Sequence, residues 1–200
     1  SGVTKDYKQA ISWYRKSANQ GLADAQNNLG LMYQNGDGVT KDYKQAVSWY
    51  RKAANQGLAI AQSNLGFMYS EGYGVAQDYK QAISWYRKSA NQGNDFGQYN
   101  LGLMYQNGSG VTKDYKQAIS WYRKSADQGN IYAEEWLGYI YEFGQGVTQN
   151  YNQAFKWYQK AAKQGSRYSQ NQLGTMYENG TGVSQNDKLA LNWYRKASDQ

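Results

Sequence analysis

The chain has 200 residues, and its 22 lysines and arginines outnumber 15 aspartates and glutamates, which gives a formal net charge of +7. It contains no cysteine and no histidine, so disulfides, thiolate nucleophiles and the commonest metal ligand and general base are excluded. We therefore expect no cofactor, no bound metal and no enzymatic activity. No apolar run reaches the roughly 20 residues of a membrane-spanning helix, so we expect no transmembrane segment.

The sequence repeats itself with a period of 36 residues. A Trp-Tyr pair recurs six times, first at Trp13 and last at Trp193, and a Gly-Val pair keeps the same step. Such a period is typical of a solenoid, in which stacked units share one continuous core. We expect a single array over residues 1–200, a fragment of a longer array, with no internal domain boundary. Its predicted parts are a half unit at 1–21 and units at 22–57, 58–93, 94–129, 130–165 and 166–200.

The first predicted element, helix B, begins near Asp6. Asp6 is followed three residues later by Gln9, which fits the Asp form of a capping box, and the pattern recurs in later units. The apolar residues from Ala10 to Ala18 follow the helical period. Gly21 is predicted to end the helix, because glycine is common just past helix ends.

The second predicted element, helix A, covers residues 22–35. Ala25, Leu29 and Met32 lie at spacings of four and three, which predicts one buried stripe. Gly30 lies inside the helix at a cost of roughly 1 kcal/mol relative to alanine. Because this glycine recurs in every unit, we expect a neighbouring backbone or bulky ring to occupy the space beside it. Alternation of helices B and A along the chain predicts eleven helices.

The repeated unit LG-x-MY-x-x-G-x-GV-x-x-DY-x-QA-x-x-WYRK-x-A-x-QG resembles the Sel-1-like repeat family, a relative of tetratricopeptide repeats. The resemblance covers the whole chain. It implies an all-α fold, a right-handed α-solenoid superhelix of helix-turn-helix repeats, with helix A on the concave side. It also implies a role in holding protein partners, and it transfers no catalytic motif. The fourth unit departs most, with Ile140 in place of Met and Trp136 in place of Asn or Gln.

Nine aromatic residues lie outside the repeated positions, and eight of them are on A helices. They fall mainly in three rows, called the variable rows below: Asp24, Ile60, Phe96, Tyr132 and Tyr168; Asn28, Asn64, Asn100, Trp136 and Gln172; Leu31, Phe67, Leu103, Tyr139 and Thr175. A row that changes from Asp to Phe, or from Asn to Trp, does not suit a uniform buried seam. We therefore interpret the variable rows as the wall of a groove.

The strongest signal within these rows is the stripe Tyr132, Trp136, Tyr139 and Phe143, at spacings of four, three and four. An aromatic stripe is more often core than binding surface, but here the Ala-Leu-Met stripe already supplies the core. Tyrosine and tryptophan also dominate interface hot spots. The candidate partner-binding residues are Phe67, Phe96, Tyr99, Asn100, Tyr132, Glu135, Trp136, Tyr139, Phe143 and Tyr168.

Charge is divided between the two kinds of helix. All basic residues except Arg167 lie on B helices or the turns that lead into them, whereas the A segments contain seven acids, a net charge of about −6. We expect an acidic groove that excludes nucleic acid, because phosphates would be repelled. The partner is expected to combine basic with apolar residues. On helix B the lysines and arginines are interpreted as a solvated helix face.

The leading hypothesis is a non-enzymatic module that binds a peptide, loop or helix of a partner protein in the concave groove, and that is monomeric by itself. The alternative is an inhibitor or immunity protein that neutralises a toxin or enzyme. A hydrolase of cell-wall or β-lactam substrates is the third reading, and it is disfavoured because the chain has no Ser-x-x-Lys. The expected location is the bacterial periplasm or the exterior, with the cytoplasm as the alternative.

Overall fold

The computed structural model describes residues 7–199, which form eleven α-helices and connecting turns with no β-strand among them. The helices are α1 (Tyr7–Asn19), α2 (Ala23–Asn35), α3 (Tyr43–Asn55), α4 (Ala59–Glu71), α5 (Tyr79–Asn91), α6 (Asp95–Asn107), α7 (Tyr115–Ala126), α8 (Ile131–Phe143), α9 (Tyr151–Lys163), α10 (Arg167–Asn179) and α11 (Asp187–Ser198). Odd-numbered helices are the predicted B helices and even-numbered ones the A helices. The predicted all-α repeat solenoid is confirmed. None of the helices within the described range has the length and apolar character of a membrane span.

The chain divides into two compact units, and the boundary falls within α6. Unit 1 extends to Leu101 and takes in Ser109–Val111, whereas unit 2 comprises Gly102–Gly108 and the chain from Thr112 onward. The contacts given below lie within one unit or the other. The expectation of one undivided domain over residues 1–200 stays a prediction.

The helix boundaries follow from polar caps and glycines. Asp42 Oδ1 accepts the backbone N–H groups of Lys44 and Gln45 at 2.9 and 3.1 Å, which satisfies two donors left free at the start of α3. At the other end, Gly36 closes α2 with a φ of 86°, in the left-handed region that favours glycine. The predicted starts and stops are therefore confirmed within the described residues, while the predicted cap at Asp6 lies outside them.

The predicted apolar stripe of helix A forms the core. Ala25, Leu29 and Met32 are buried, and they pack in one cluster with Ile11 and Ala18 of the preceding helix B. Each unit of the repeat therefore buries its helix A stripe against helix B residues. The core cluster around Leu29 contains no residue of the variable rows.

The recurring glycine of helix A makes room for a tyrosine ring of the next helix B. A Cβ on Gly30 would stand 2.7 Å from Cδ1 of Tyr50, and one on Gly138 would stand 2.5 Å from Cδ1 of Tyr158. The ring of Tyr50 is fully buried, and its hydroxyl donates a hydrogen bond of 2.7 Å to Gln34 Oε1. The expectation that a bulky ring fills this space is confirmed.

Candidate functional site

The variable rows are accessible on the A helices. In the first row every residue is exposed, including Phe96 at 49% and Tyr132 at 55%. The second row, which contains Trp136, is half-buried throughout. The third row is exposed at Phe67 and half-buried at Tyr139. These side chains therefore flank the core stripe without belonging to it.

In unit 1, the rows enclose a cleft of about 250 Å³ between α4 and α6, called the unit 1 cleft. It is lined by Ile60, Ser63, Asn64, Phe67, Phe96 and Asn100. None of these lining side chains is charged, so the cleft offers apolar contact with a few hydroxyl and amide groups. Beside it, the ring of Tyr73 meets Phe67 edge-on at 5.9 Å and stacks on Tyr43 at 4.7 Å between centroids.

In unit 2, a larger cleft of about 380 Å³ lies between α8 and α10, called the unit 2 cleft. Its lining consists of Glu135, Trp136 and Tyr139 from α8 and Tyr168 from α10. Three aromatic rings and one carboxylate therefore face the same space. The two clefts differ in chemistry, because only the unit 2 cleft has an ionisable acid among its lining residues.

Three rings of the aromatic stripe of α8, those of Trp136, Tyr139 and Phe143, lie against one another in sequence. Trp136 lies parallel to Tyr122, with planes 5° apart and centroids 6.4 Å apart. Tyr139 meets Trp136 edge-on at 5.5 Å, and Phe143 follows at 4.6 Å from Tyr139. Phe143 and Tyr132 at the two ends are 54% and 55% exposed. The ring contacts pre-organise the stripe, which lowers the entropy lost when a ligand covers it.

Two carboxylates near the unit 2 cleft are held by hydrogen bonds. Ser166 Oγ donates to Glu135 Oε1, and this fixes one oxygen of the carboxylate that lines the cleft. Glu142 Oε2 accepts the hydroxyl of Tyr158 at 2.7 Å and the amide of Gln172 at 3.2 Å. Glu142 therefore takes the place that Gln34 has towards Tyr50 in unit 1. At least one acid of the A segments, Glu142, thus accepts a hydrogen bond inside the repeat core.

Glu134 is buried, so the exposed surface of the A segments carries less negative charge than the sequence predicts. Its side chain is only 3% exposed, and its Oε2 accepts a hydrogen bond of 2.8 Å from Gln164 Nε2. Other units have glutamine here; Gln26, for example, donates to the carbonyl oxygen of Ala18 at 3.1 Å. Burial raises the pKa of Glu134 above its ordinary value, and the bond from Gln164 and the charge of Lys160 oppose the shift. The count of seven acids therefore overstates the exposed charge.

Of the predicted site residues, the structure brings Phe67, Phe96 and Asn100 together in one cleft. It brings four others together in the unit 2 cleft, namely Glu135, Trp136, Tyr139 and Tyr168. The remaining three, Tyr99, Tyr132 and Phe143, lie on α6 and α8 but line neither cleft. Each residue's role in binding stays a prediction.

Three lining residues of the unit 1 cleft are missing from the predicted site, namely Ile60, Ser63 and Asn64. Ile60 and Asn64 belong to the variable rows and carry the same positional signal as Phe96 and Asn100. Ser63 lies 36 residues before Tyr99, at the same position of the preceding repeat, and Tyr99 is a predicted site residue because it is aromatic. Selection by row, instead of by aromatic type, would have found Ile60 and Asn64, whereas Ser63 lies outside the three variable rows. Among the described residues, no cluster of three or more metal-binding side chains is present.

Comparison with known proteins gives a family match over almost the whole chain. The model of the Sel1 repeat matches residues 1–22, 23–58, 59–94, 96–130, 131–166 and 167–200. No curated protein matches the chain.

Solved structures of similar proteins extend this result. The chain is 44% identical to c5321, a protective antigen present in uropathogenic Escherichia coli strains that displays an SLR fold, with a TM-score of 0.90. That match covers 100% of this chain and 43% of the other, so the chain spans less than half of c5321. A Sel1 repeat protein from Oxalobacter formigenes is 37% identical with a TM-score of 0.91, over 96% of this chain and 79% of that one. Immunity protein Pa5087 from Pseudomonas aeruginosa is 23% identical with a TM-score of 0.67, over 98% and 75%, and shares the fold.

Proposed function

The chain belongs to the Sel1 repeat family, and on that premise we propose that it binds an extended peptide, loop or helix of a partner protein on its variable rows. Sel1 repeat proteins mediate protein–protein interactions, and their fold is typically a non-catalytic scaffold. Each of the two clefts, in unit 1 and in unit 2, receives a side chain of the partner protein.

The observation that carries this proposal is the exposure of aromatic residues that the fold does not need. Ala25, Leu29 and Met32 of α2 are buried in a core cluster that contains no residue of the variable rows. Yet Phe96 and Tyr132 are about half exposed on the same kind of helix. Contiguous exposed apolar surface commonly marks an interaction site. Tyrosine and tryptophan are also the residues that contribute most to interface hot spots.

The chemistry of the two clefts sets the character of the partner segment. The unit 1 cleft, lined by uncharged residues such as Phe67 and Phe96, suits an apolar side chain. The unit 2 cleft, with Glu135 beside Trp136, suits a side chain that joins apolar and basic character. Such a partner segment combines basic and apolar residues.

Selection of peptides from a random displayed library tests the proposal, because it does not require the partner to be identified first. The library is selected on the wild-type chain and counter-selected on the double variant Trp136→Asn, Phe67→Leu. Both substitutions install the residue that other units have at the same positions, so the variant should fold. The expected survivors contain apolar and basic residues and bind the wild type alone. Equal enrichment on the two proteins would contradict the proposal.

A second candidate function is inhibition of a basic enzyme or toxin through the same surface. Its support is the shared fold of immunity protein Pa5087, together with the acidic residues of the A segments. Pull-down from the native organism separates the two functions. A single tightly bound enzyme that loses activity in the complex supports inhibition, whereas partners that keep their activity support a scaffold.

Export from the cytoplasm is also part of the proposal. The similarity to a protective antigen of Escherichia coli supports a periplasmic or secreted location. Immunoblotting of cytoplasmic, periplasmic and culture fractions of the native organism tests it, and recovery only from the cytoplasm would contradict it.

A further inference from the structure

The unit 2 cleft has the composition of an aromatic cage. Trp136 and Tyr139 reach it from α8 and Tyr168 from α10, and Glu135 adds a carboxylate. Aromatic faces attract cations through the negative charge density of the ring, and cages of several rings are the usual way in which proteins hold ammonium-type groups. A carboxylate beside the rings adds both charge attraction and a hydrogen-bond acceptor.

The same chain already uses this interaction elsewhere. On all six B helices, a lysine lies over the tryptophan three residues before it. Lys52 Nζ is 4.0 Å from the Trp49 ring centroid, and the other distances are 4.1 to 4.3 Å, except 5.9 Å for Lys16 over Trp13. Trp136 differs, because the residue three positions later is Tyr139. Helix α8 therefore has no lysine three residues after Trp136 to lie over its ring. The indole is instead placed in a cleft that is open to a ligand.

The charge around the cleft favours a cation. Glu135 accepts a hydrogen bond from Ser166 through Oε1, which holds the carboxylate at the wall and leaves Oε2 as a further acceptor. The pKa of the Tyr168 hydroxyl is raised, first by burial and further by the negative charges of Glu142 and Glu135. Glu135 at the wall and Glu142 nearby are therefore the negative charges that act on this part of the cleft.

We propose that the unit 2 cleft binds the guanidinium group of an arginine side chain in the partner segment. This inference rests on the proposed function and names the anchor of that interaction. Arginine fits better than lysine, because a planar guanidinium stacks on an indole and donates to Glu135 at the same time, and it is more weakly hydrated than an ammonium group. A quaternary ammonium group could stack, but it has no N–H to donate to the carboxylate.

A small probe tests the cage directly. Nα-acetyl-arginine N-methylamide is titrated into the chain, and the indole N–H signal of Trp136 is followed by NMR, after assignment from its loss in Trp136→Asn. The matched probe is the citrulline analogue, which has the same shape but no charge. We expect saturable binding of the arginine probe that is at least about tenfold tighter than that of citrulline. The lysine and trimethyllysine analogues should bind more weakly than arginine.

Two variants complete the experiment. Glu135→Gln should weaken arginine binding by about fivefold or more and leave the citrulline signal unchanged. Lys52→Ala, on α3 and outside the lining of both clefts, should change neither. No saturable shift with arginine, equal binding of citrulline, or equal binding of lysine would overturn the assignment. If a selected peptide binds more weakly to Trp136→Asn but binds equally well after its own arginine is replaced, the arginine assignment is wrong and the proposed function stands.

Discussion

Ser169 is a buried polar residue at a position where the repeat otherwise has alanine or glycine. Its side chain is fully buried, and among the described residues its Oγ is the buried side-chain atom without a hydrogen-bond partner. Its backbone N–H, by contrast, donates to Ser166 Oγ at 2.9 Å and caps α10. The two serines therefore make opposite contributions to stability.

We expect Ser169→Ala to raise the free energy of unfolding by about 1 kcal/mol, because it removes an unsatisfied buried hydroxyl. Ser166→Ala should lower it by about 1 kcal/mol, because it removes the helix cap. Denaturant unfolding of both variants checks the pair. A loss of stability in Ser169→Ala would show that its hydroxyl has a partner.

Glu134 predicts a pH dependence of stability. Its pKa is raised in the folded state above the ordinary value of 4.5, so the protonated form is the one that folding favours. The stability contributed by this group is fully present below that ordinary value, and it is lost as pH rises through the raised folded pKa. A glutamine at this position has no such loss and can donate to the Ala126 carbonyl, as Gln26 does to Ala18.

Glu134→Gln should therefore be more stable than the wild type by about 1 kcal/mol near pH 7, with the difference shrinking towards pH 4. Thermal unfolding across that range measures it. The control is Glu178→Gln, which keeps the acceptor for the Tyr194 hydroxyl that Glu178 now provides at 2.8 Å. A difference that does not change with pH would rule out a titrating Glu134 as the cause.

At the scale of the helix pair, the glycine of helix A and the tyrosine of helix B form the main steric fit. Gly138→Ala would place a methyl carbon 2.5 Å from Cδ1 and Cε1 of the buried Tyr158 ring. We expect a loss of about 1 to 3 kcal/mol from overpacking, even though alanine is the better helix former. Asn171→Ala, at an exposed position of α10, should change the free energy of unfolding by less than about 0.5 kcal/mol. A neutral Gly138→Ala would contradict the proposed fit.

The elements and the core could be predicted from the sequence because both depend on local pattern. The caps at Asp42, the glycine stops and the Ala-Leu-Met stripe follow from spacing within one unit, and the structure confirms them. The hydrogen bond that Glu134 accepts from Gln164 could not be predicted in the same way, because Gln164 lies just beyond the end of the following helix B. Side-chain pairing between helices has no local signature in the sequence.

The same limit applies to the candidate site. Subtracting the repeated positions identified Trp136 and Phe96 as residues outside the core, and both line clefts. The division of the predicted groove residues into an uncharged cleft and one with a carboxylate depends on which side chains of neighbouring A helices meet. Ser63 also lines the unit 1 cleft, and this could not be predicted because its residue type and its position outside the variable rows give no signal.

At the scale of the whole molecule, basic and acidic charge are divided between the two kinds of helix. The net charge of +7 combines the basic residues of the B helices and their turns with a net charge of about −6 on the A segments, and eight of the nine aromatic residues outside the repeated positions belong to helix A. A partner with basic and apolar residues would therefore distinguish the A helices from the B helices. The central claim is that the variable rows, and Trp136 first among them, form the binding surface.

The dissociation constant of a selected peptide for the wild type and for Trp136→Asn tests this claim most directly. Lys124→Ala on α7 is the matched control, because it changes helix B and leaves the variable rows intact. With helical content and unfolding midpoint unchanged, we expect Trp136→Asn to weaken binding by about tenfold or more and Lys124→Ala to have no effect. Equal dissociation constants for the wild type and Trp136→Asn would contradict the account.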